Sequence, residues 1–143
     1  ERIKLINKNI NVIKIKDKLD INNVNNLPIT DYIIDACDTV IVKKLLIKKC
    51  HEKNIKLITV CGMGKKLNPS LVKICDIKDT SYDPLAKSIR KYVKDEKIRG
   101  KVPVVFSSEE PKKNDKNLVS SMMMVPATAG INAAYYVIND IIK

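Results

Sequence analysis

The sequence predicts an α/β fold built around a parallel βαβ unit, and three observations carry that prediction. Residues 32–37 form a short apolar run closed by the carboxylates Asp35 and Asp38. Residues 39–54 place Val42, Leu45, Leu46 and Cys50 on one helical stripe, with Lys43, Lys44, Lys48 and Lys49 elsewhere. Residues 55–61 are a second apolar run. Strand, helix and strand within about 30 residues imply a parallel pairing joined by a right-handed crossover.

The remaining elements follow in order. The first residues resemble the end of a helix. Residues 11–16 alternate Ile13 and Ile15 with Lys14 and Lys16, the pattern of a strand with one face in solvent. Residues 21–27 read as a brief polar helix or turn closed by Pro28, and residues 32–37 as a strand buried on both faces. After residue 61 comes a turn, Gly62-Met-Gly-Lys-Lys-Leu-Asn-Pro, which is no helix start, so its two glycines make no dinucleotide fingerprint. Val72 and Ile74 mark a short strand. Asp83 and Pro84 occupy the N-cap and first position of a helix that turns Leu85, Ile89 and Val93 inward. Residues 102–106 form a further strand, and the polar, Lys-rich residues 107–121 a mobile loop. Gly130, Ala134, Val137, Ile138 and Ile141 give the inward stripe of a terminal helix. One domain spans residues 1–143.

Composition narrows the function. The net charge is +11, which favours a polyanionic partner through counterion release. The even spread of lysines, and a Lys, Asn and Ile excess of the kind AT-rich coding produces, lower the weight of that reading. No apolar run approaches the roughly 20 residues that span a bilayer. Four cysteines form no Cys-x-x-Cys, so a structural zinc site lacks support, and small buried thiols in a reducing compartment such as the cytoplasm explain them better than catalysis. The sequence contains neither Gly-x-Gly-x-x-Gly nor Gly-x-x-x-x-Gly-Lys-Ser/Thr, and it opens on Glu1. It therefore reads as the carboxyl-terminal part of a nucleotide-using protein whose phosphate cradle lies elsewhere.

Asp35 and Asp38 are the candidate chemical groups. A strand-end carboxylate can hold Mg²⁺ through one oxygen while phosphates supply other ligands. Spacing alone favours a plainer role for Asp38, capping the following helix; both roles are compatible at a helix N-terminus. His51 reads as a solvent-facing helix residue without a partner, and Met122, Met123 and Met124 as packing. Ser107, Ser108, Ser120 and Ser121 show no triad arrangement. Arg90 reads as a surface ion pair or an anion contact.

Five segments, taken together, resemble one family: Asp31-Tyr-Ile-Ile-Asp-Ala-Cys-Asp-Thr-Val, Ile58-Thr-Val-Cys-Gly-Met-Gly-Lys-Lys-Leu-Asn-Pro, Asp79-Thr-Ser-Tyr-Asp-Pro-Leu-Ala, Val104-Val-Phe-Ser-Ser-Glu-Glu-Pro and Val125-Pro-Ala-Thr-Ala-Gly. In this order they resemble the ThiF/MoeB superfamily of ubiquitin-activating-enzyme-like adenylating proteins, and within it the tRNA threonylcarbamoyladenosine dehydratase branch. The resemblance implies a Rossmann-like, ThiF-type fold of three layers, with a mostly parallel sheet continuing into antiparallel strands. It implies a homodimer using ATP and Mg²⁺, and adenylation of a carboxylate on tRNA followed by cyclisation with loss of water. By position Asp38 matches the family's Mg-ATP aspartate, giving it a catalytic and metal-binding role. Thr39 replaces an asparagine of the sulfur-carrier activators, and Lys43 stands where many relatives carry arginine, so Asp38, Thr39 and Lys43 are the expected cofactor-binding set.

The missing Cys-x-x-Cys motifs, and the absence of any cysteine beyond Cys75, weaken activation of a ubiquitin-like sulfur carrier, the second reading. A non-catalytic dimerisation module is the third. The family's glycine-rich loop, ribose-binding acid, and catalytic arginine and lysine match nothing in residues 1–143, so this stretch alone is expected to bind ATP poorly and not to turn over.

Overall fold

The computed structural model describes residues 1–111, Ser120 and residues 122–143. Among the described residues four strands, β1 (Tyr32–Asp35), β2 (Lys56–Val60), β3 (Val72–Asp76) and β4 (Pro103–Ser107), form one sheet in the order β1-β2-β4-β3. Strands β1, β2 and β4 are parallel, with Asp35 opposite Thr59 and Val60 opposite Val105, while β3 runs antiparallel to β4 with Val72 opposite Ser107. The helices are α1 (Arg2–Ile6), α2 (Val40–Lys53), α3 (Pro84–Asp95) and α4 (Met124–Ile141).

Period-2 alternation in the central strands divides the core into two apolar layers. Leu57, Val104 and Phe106 face α2 and α3, joining Ile47, Cys50, Ala86 and Ile89. Ile58 and Val105 face α4, joining Val125, Ala129, Ala133 and Val137. The expected mixed sheet between helical layers is therefore present. Helix α2 ends at Asn54, whose φ of 54° is the left-handed conformation that Asn tolerates at a helix terminus. Helix α3 starts as its sequence requires, with the Asp83 carboxylate accepting from the amides of Leu85 and Ala86 and Pro84 in the first turn.

Several expectations change. Residues 11–16 form no strand and are exposed, because no described strand lies beside them to complete their hydrogen bonds. Strand β1 is an edge strand, with Ile34 45% exposed, and is not buried on both faces. Lys43 and Lys49 lie inside: Lys49 reaches the carbonyls of Val24, Asn25 and Leu27 at 3.3, 3.0 and 2.8 Å, clamping the short 3-10 turn Val24–Asn26 under α2. The inward stripe of α4 is Val125, Ala129, Ala133 and Val137, whereas Gly130, Ile138 and Ile141 face out. Met122 packs, but Met123 and Met124 are exposed. Arg90 forms no ion pair among the described residues; its guanidinium donates to the Thr80 carbonyl at 2.8 Å and to the Thr80 hydroxyl. In the loop expected over residues 107–121, Ser107 closes β4, and residues 112–119 and 121 lie outside the described residues.

Candidate functional site at the carboxyl ends of the parallel strands

In open α/β sheets, ligands bind beyond the carboxyl ends of the strands. Here the ends of β1, β2 and β4 bring together residues 35–39, the turn 61–68 and residues 107–109. Asp35 terminates β1 and is 3% exposed. One carboxylate oxygen accepts from Lys43 Nζ at 3.1 Å and Thr59 Oγ1 at 3.0 Å, and the other from the Cys37 amide at 3.1 Å. A buried carboxylate needs such donors, and this one is satisfied by a cation, a hydroxyl and an amide. Asp35 is consequently closed to solvent and serves as an anchor.

Its neighbour has the opposite character. Asp38 is exposed in the segment that leads from β1 into α2. The N-cap position of α2 is Thr39, and no side chain caps that end, so the capping role expected for Asp38 is not realised. The free amides of a 14-residue helix and an open carboxylate thus lie side by side, an arrangement suited to phosphate and to a hard cation. Among the described residues no group of three or more His, Cys, Asp or Glu side chains comes together. Mg²⁺ is compatible with a single protein carboxylate when phosphates and water complete its shell. Of the three expected cofactor-binding residues, Asp38 and Thr39 stand at this opening. Lys43 points inward to Asp35.

The second wall is a turn fixed from three sides. The Gly62 amide donates to Asp83 Oδ2 at 2.9 Å, and the Leu67 and Asn68 amides donate to Glu109 Oε2 at 2.9 and 2.8 Å. Between them Lys66, 2% exposed, extends Nζ to the Ser107 carbonyl at 2.8 Å, tying the turn after β2 to the end of β4. Burial pulls the Lys66 ammonium below its ordinary range, while the Asp83 carboxylate partly offsets it. The sequence reading assigned no role to Thr59 or Lys66 and gave Asp83 only its cap. No local pattern separates Lys66 from the many solvated lysines; only the register of β2 beside β4 does.

The thiols are held protonated. Burial raises Cys61 to about 12, helped by the Asp83 charge, and Cys50 to about 11. Burial and then the Asp35 carboxylate raise Cys37 to about 11. A nucleophilic thiolate needs the reverse shift. His51 is exposed, as expected. No helix among the described residues is long and apolar enough to cross a membrane.

No family model matches the sequence. Individual relatives do. The tRNA threonylcarbamoyladenosine dehydratase of Bacillus subtilis is 35% identical over 130 residues, covering 79% of this chain and 51% of its own length. That of Haemophilus influenzae is 30% identical over 165 residues, covering 100% of this chain and 63% of its own. The crystal structure of the Escherichia coli enzyme in complex with AMP matches with a TM-score of 0.87 at 30% identity, over 99% of this chain and 61% of that one. Over most of its length the chain is similar to part of these tRNA threonylcarbamoyladenosine dehydratases. Its sheet and helices are accordingly those of the ThiF-type, Rossmann-like fold. The E. coli dehydratase complex with ATP matches as well, with a TM-score of 0.84. Against the dehydratases it matches in B. subtilis and H. influenzae, the chain spans between half and two thirds of their length.

Proposed function

We propose that the protein carrying this chain is an ATP-dependent tRNA threonylcarbamoyladenosine dehydratase. The carboxylate of the threonylcarbamoyl group on a tRNA adenosine is adenylated by ATP with release of pyrophosphate. An internal nucleophile of the same group then attacks the activated carbonyl carbon, and AMP departs with one former carboxylate oxygen. The ring closes with net loss of water from the nucleoside. The observation that carries this reading is the likeness, over nearly the whole chain, to a dehydratase that binds AMP, with Asp38 open at the strand ends.

Within that reading Asp38 holds Mg²⁺, Thr39 and the first amides of α2 meet phosphate oxygens, and Lys43 contributes by fixing Asp35 and the chain that leads to Asp38. Held by Asp38, Mg²⁺ would supply charge neutralisation at the phosphates. Residues 1–143 supply only this wall of the nucleotide site. The working assembly is a cytoplasmic homodimer. Support for the dimer comes from the outer face of α4, where Met124, Ile131, Tyr135, Ile138 and the adjoining Ile142 are exposed at spacings of seven, four, three and four. In a strongly cationic chain, Asp140 is the only Asp, Glu, Lys or Arg between Met124 and Ile141, so two such faces meet without repulsion.

The deciding experiment incubates the full-length protein with Mg-ATP and tRNA bearing threonylcarbamoyladenosine, followed by nucleoside mass spectrometry. The expected product has lost one water, and Asp38→Ala abolishes its formation. An unchanged nucleoside, from protein that is folded and binds ATP, overturns the reading and redirects the search to a carboxylate on a carrier protein.

A further inference from the structure

A depression on the surface lies away from the strand-end site, along the outside of α3. It is a groove of about 940 Å³ whose rim carries Lys78, Lys87, Lys91, Lys94, Lys97 and Arg99. Ile77, Val93 and Ile98, which pack on the core, form its floor. Among the described residues Asp76 is the only carboxylate that lines it, and Lys78 Nζ lies 3.7 Å from that group. Glu96, which could also have neutralised the rim, is drawn off by Lys48 at 2.6 Å. The other five cations have no carboxylate partner among the described residues.

Lys87, Lys91 and Lys94 share one exposed face of the helix, so at ~1.5 Å of rise per residue they form a row about 10 Å long. Duplex nucleic acid carries about one negative charge per 1.7 Å of axis, and such a row faces several phosphates at once. The groove also leads somewhere. The Lys87 amide donates to the carbonyl of Asp83 at 2.9 Å, and the Asp83 carboxylate holds the Gly62 turn of the strand-end site. The row of cations therefore begins one helical turn from that site and runs away from it.

We infer that this groove is the docking surface for the RNA phosphate backbone, seating the substrate while a single nucleotide reaches the strand ends. The inference rests on the tRNA-modifying reading for its choice of RNA. The groove's concave form fits a backbone ridge better than a flat anionic bilayer.

The test measures binding of the full-length protein to a tRNA transcript across a salt series, for the wild type and for Lys87→Gln/Lys91→Gln/Lys94→Gln. Glutamine keeps helix propensity close to that of lysine. A control with the same charge change is Lys4→Gln/Lys8→Gln/Lys14→Gln. The groove variant is expected to lose roughly tenfold or more in affinity and to flatten the slope of log K against log salt by about 2 to 3, while the control changes little. An unchanged slope, equal effects of both triples, or an unaltered tRNA affinity with lost binding to phosphatidylserine vesicles overturns the inference. The dehydration assay separates the two ideas. If the wild type dehydrates its nucleoside and the groove variant keeps the same KM for tRNA, the groove inference fails alone. If the groove variant loses tRNA binding but the wild type never dehydrates, the dehydratase reading fails alone.

Discussion

Lys43 and Asp38 illustrate how differently two charged residues five positions apart are used. Replacing Lys43 by Met strands the Asp35 carboxylate, which is left with one hydroxyl and one amide donor in an apolar interior. Breaking a buried pair in this way costs about 3–5 kcal/mol. Urea denaturation is therefore expected to show a loss of that size for Lys43→Met, largely restored in the double variant Lys43→Met/Asp35→Leu; a loss under about 1 kcal/mol would refute the anchoring role. Asp38→Ala removes an exposed carboxylate and is expected to move stability by no more than about 0.5 kcal/mol while weakening Mg-ATP binding, read by calorimetry. Asp35 and Asp38 were legible in the sequence as two acids at a strand end. Which of them is buried was not, because that depends on Thr59 arriving from the neighbouring strand and Lys43 from the helix above.

The cysteines give the residue scale a pH signature. In the unfolded chain a thiol loses its proton near 9.0, whereas burial holds Cys37 and Cys50 to about 11 and Cys61 to about 12. The folded state therefore binds more protons above pH 9. Their contribution is complete below that pH and fades as pH rises through the range from about 9 to 12. Lys66 acts with the opposite sign, since its lowered folded value favours the native state as pH climbs toward 10.5. Three thiols outweigh one ammonium, so thermal stability is expected to fall above pH 9, and Cys61→Ala to lessen the slope. A flat profile between pH 8 and 10.5 would contradict this.

At the scale of elements, the sequence was most informative where chemistry and period agreed. Asp83 and Pro84 announced α3, and the apolar runs announced β2 and β4. Periodicity misplaced the buried face of α4 because both sides of that helix are apolar, and only packing against Ile58, Val72 and Val105 selects Val125, Ala129, Ala133 and Val137. The outer stripe left over is the one proposed to meet a second copy. Tyr135→Glu places a charge in its centre and is expected to convert a dimer to monomer in sedimentation velocity without lowering the melting temperature. Dimerisation unaffected by this change would move the interface elsewhere. The alternation in residues 11–16 predicted a strand that does not form, since alternation describes a face and supplies no neighbour to bond with.

For the molecule as a whole, its charge and its architecture act at different places. The net charge of +11 gave little guidance as a sum, because lysines occur along the entire chain. Folding sorts them. Lys43, Lys49 and Lys66 go inside as ties between elements. Lys48, Lys56 and Lys78 pair with acids, and the cations along α3 and the turn after it gather around one groove without a carboxylate partner among the described residues. Sequence by itself determined the βαβ order, the cap of α3, the acids at the strand end and the resemblance to adenylating enzymes, because each is written in local spacing or in an ordered set of short motifs. Tertiary structure alone decided that Asp35 is an anchor and Asp38 is open, that Lys66 joins two strands, and that α3 borders a basic groove. Burial and pairing depend on which residues distant in the chain become neighbours, and the one-dimensional pattern of a lysine-rich sequence is the same for a solvated cation and a buried one.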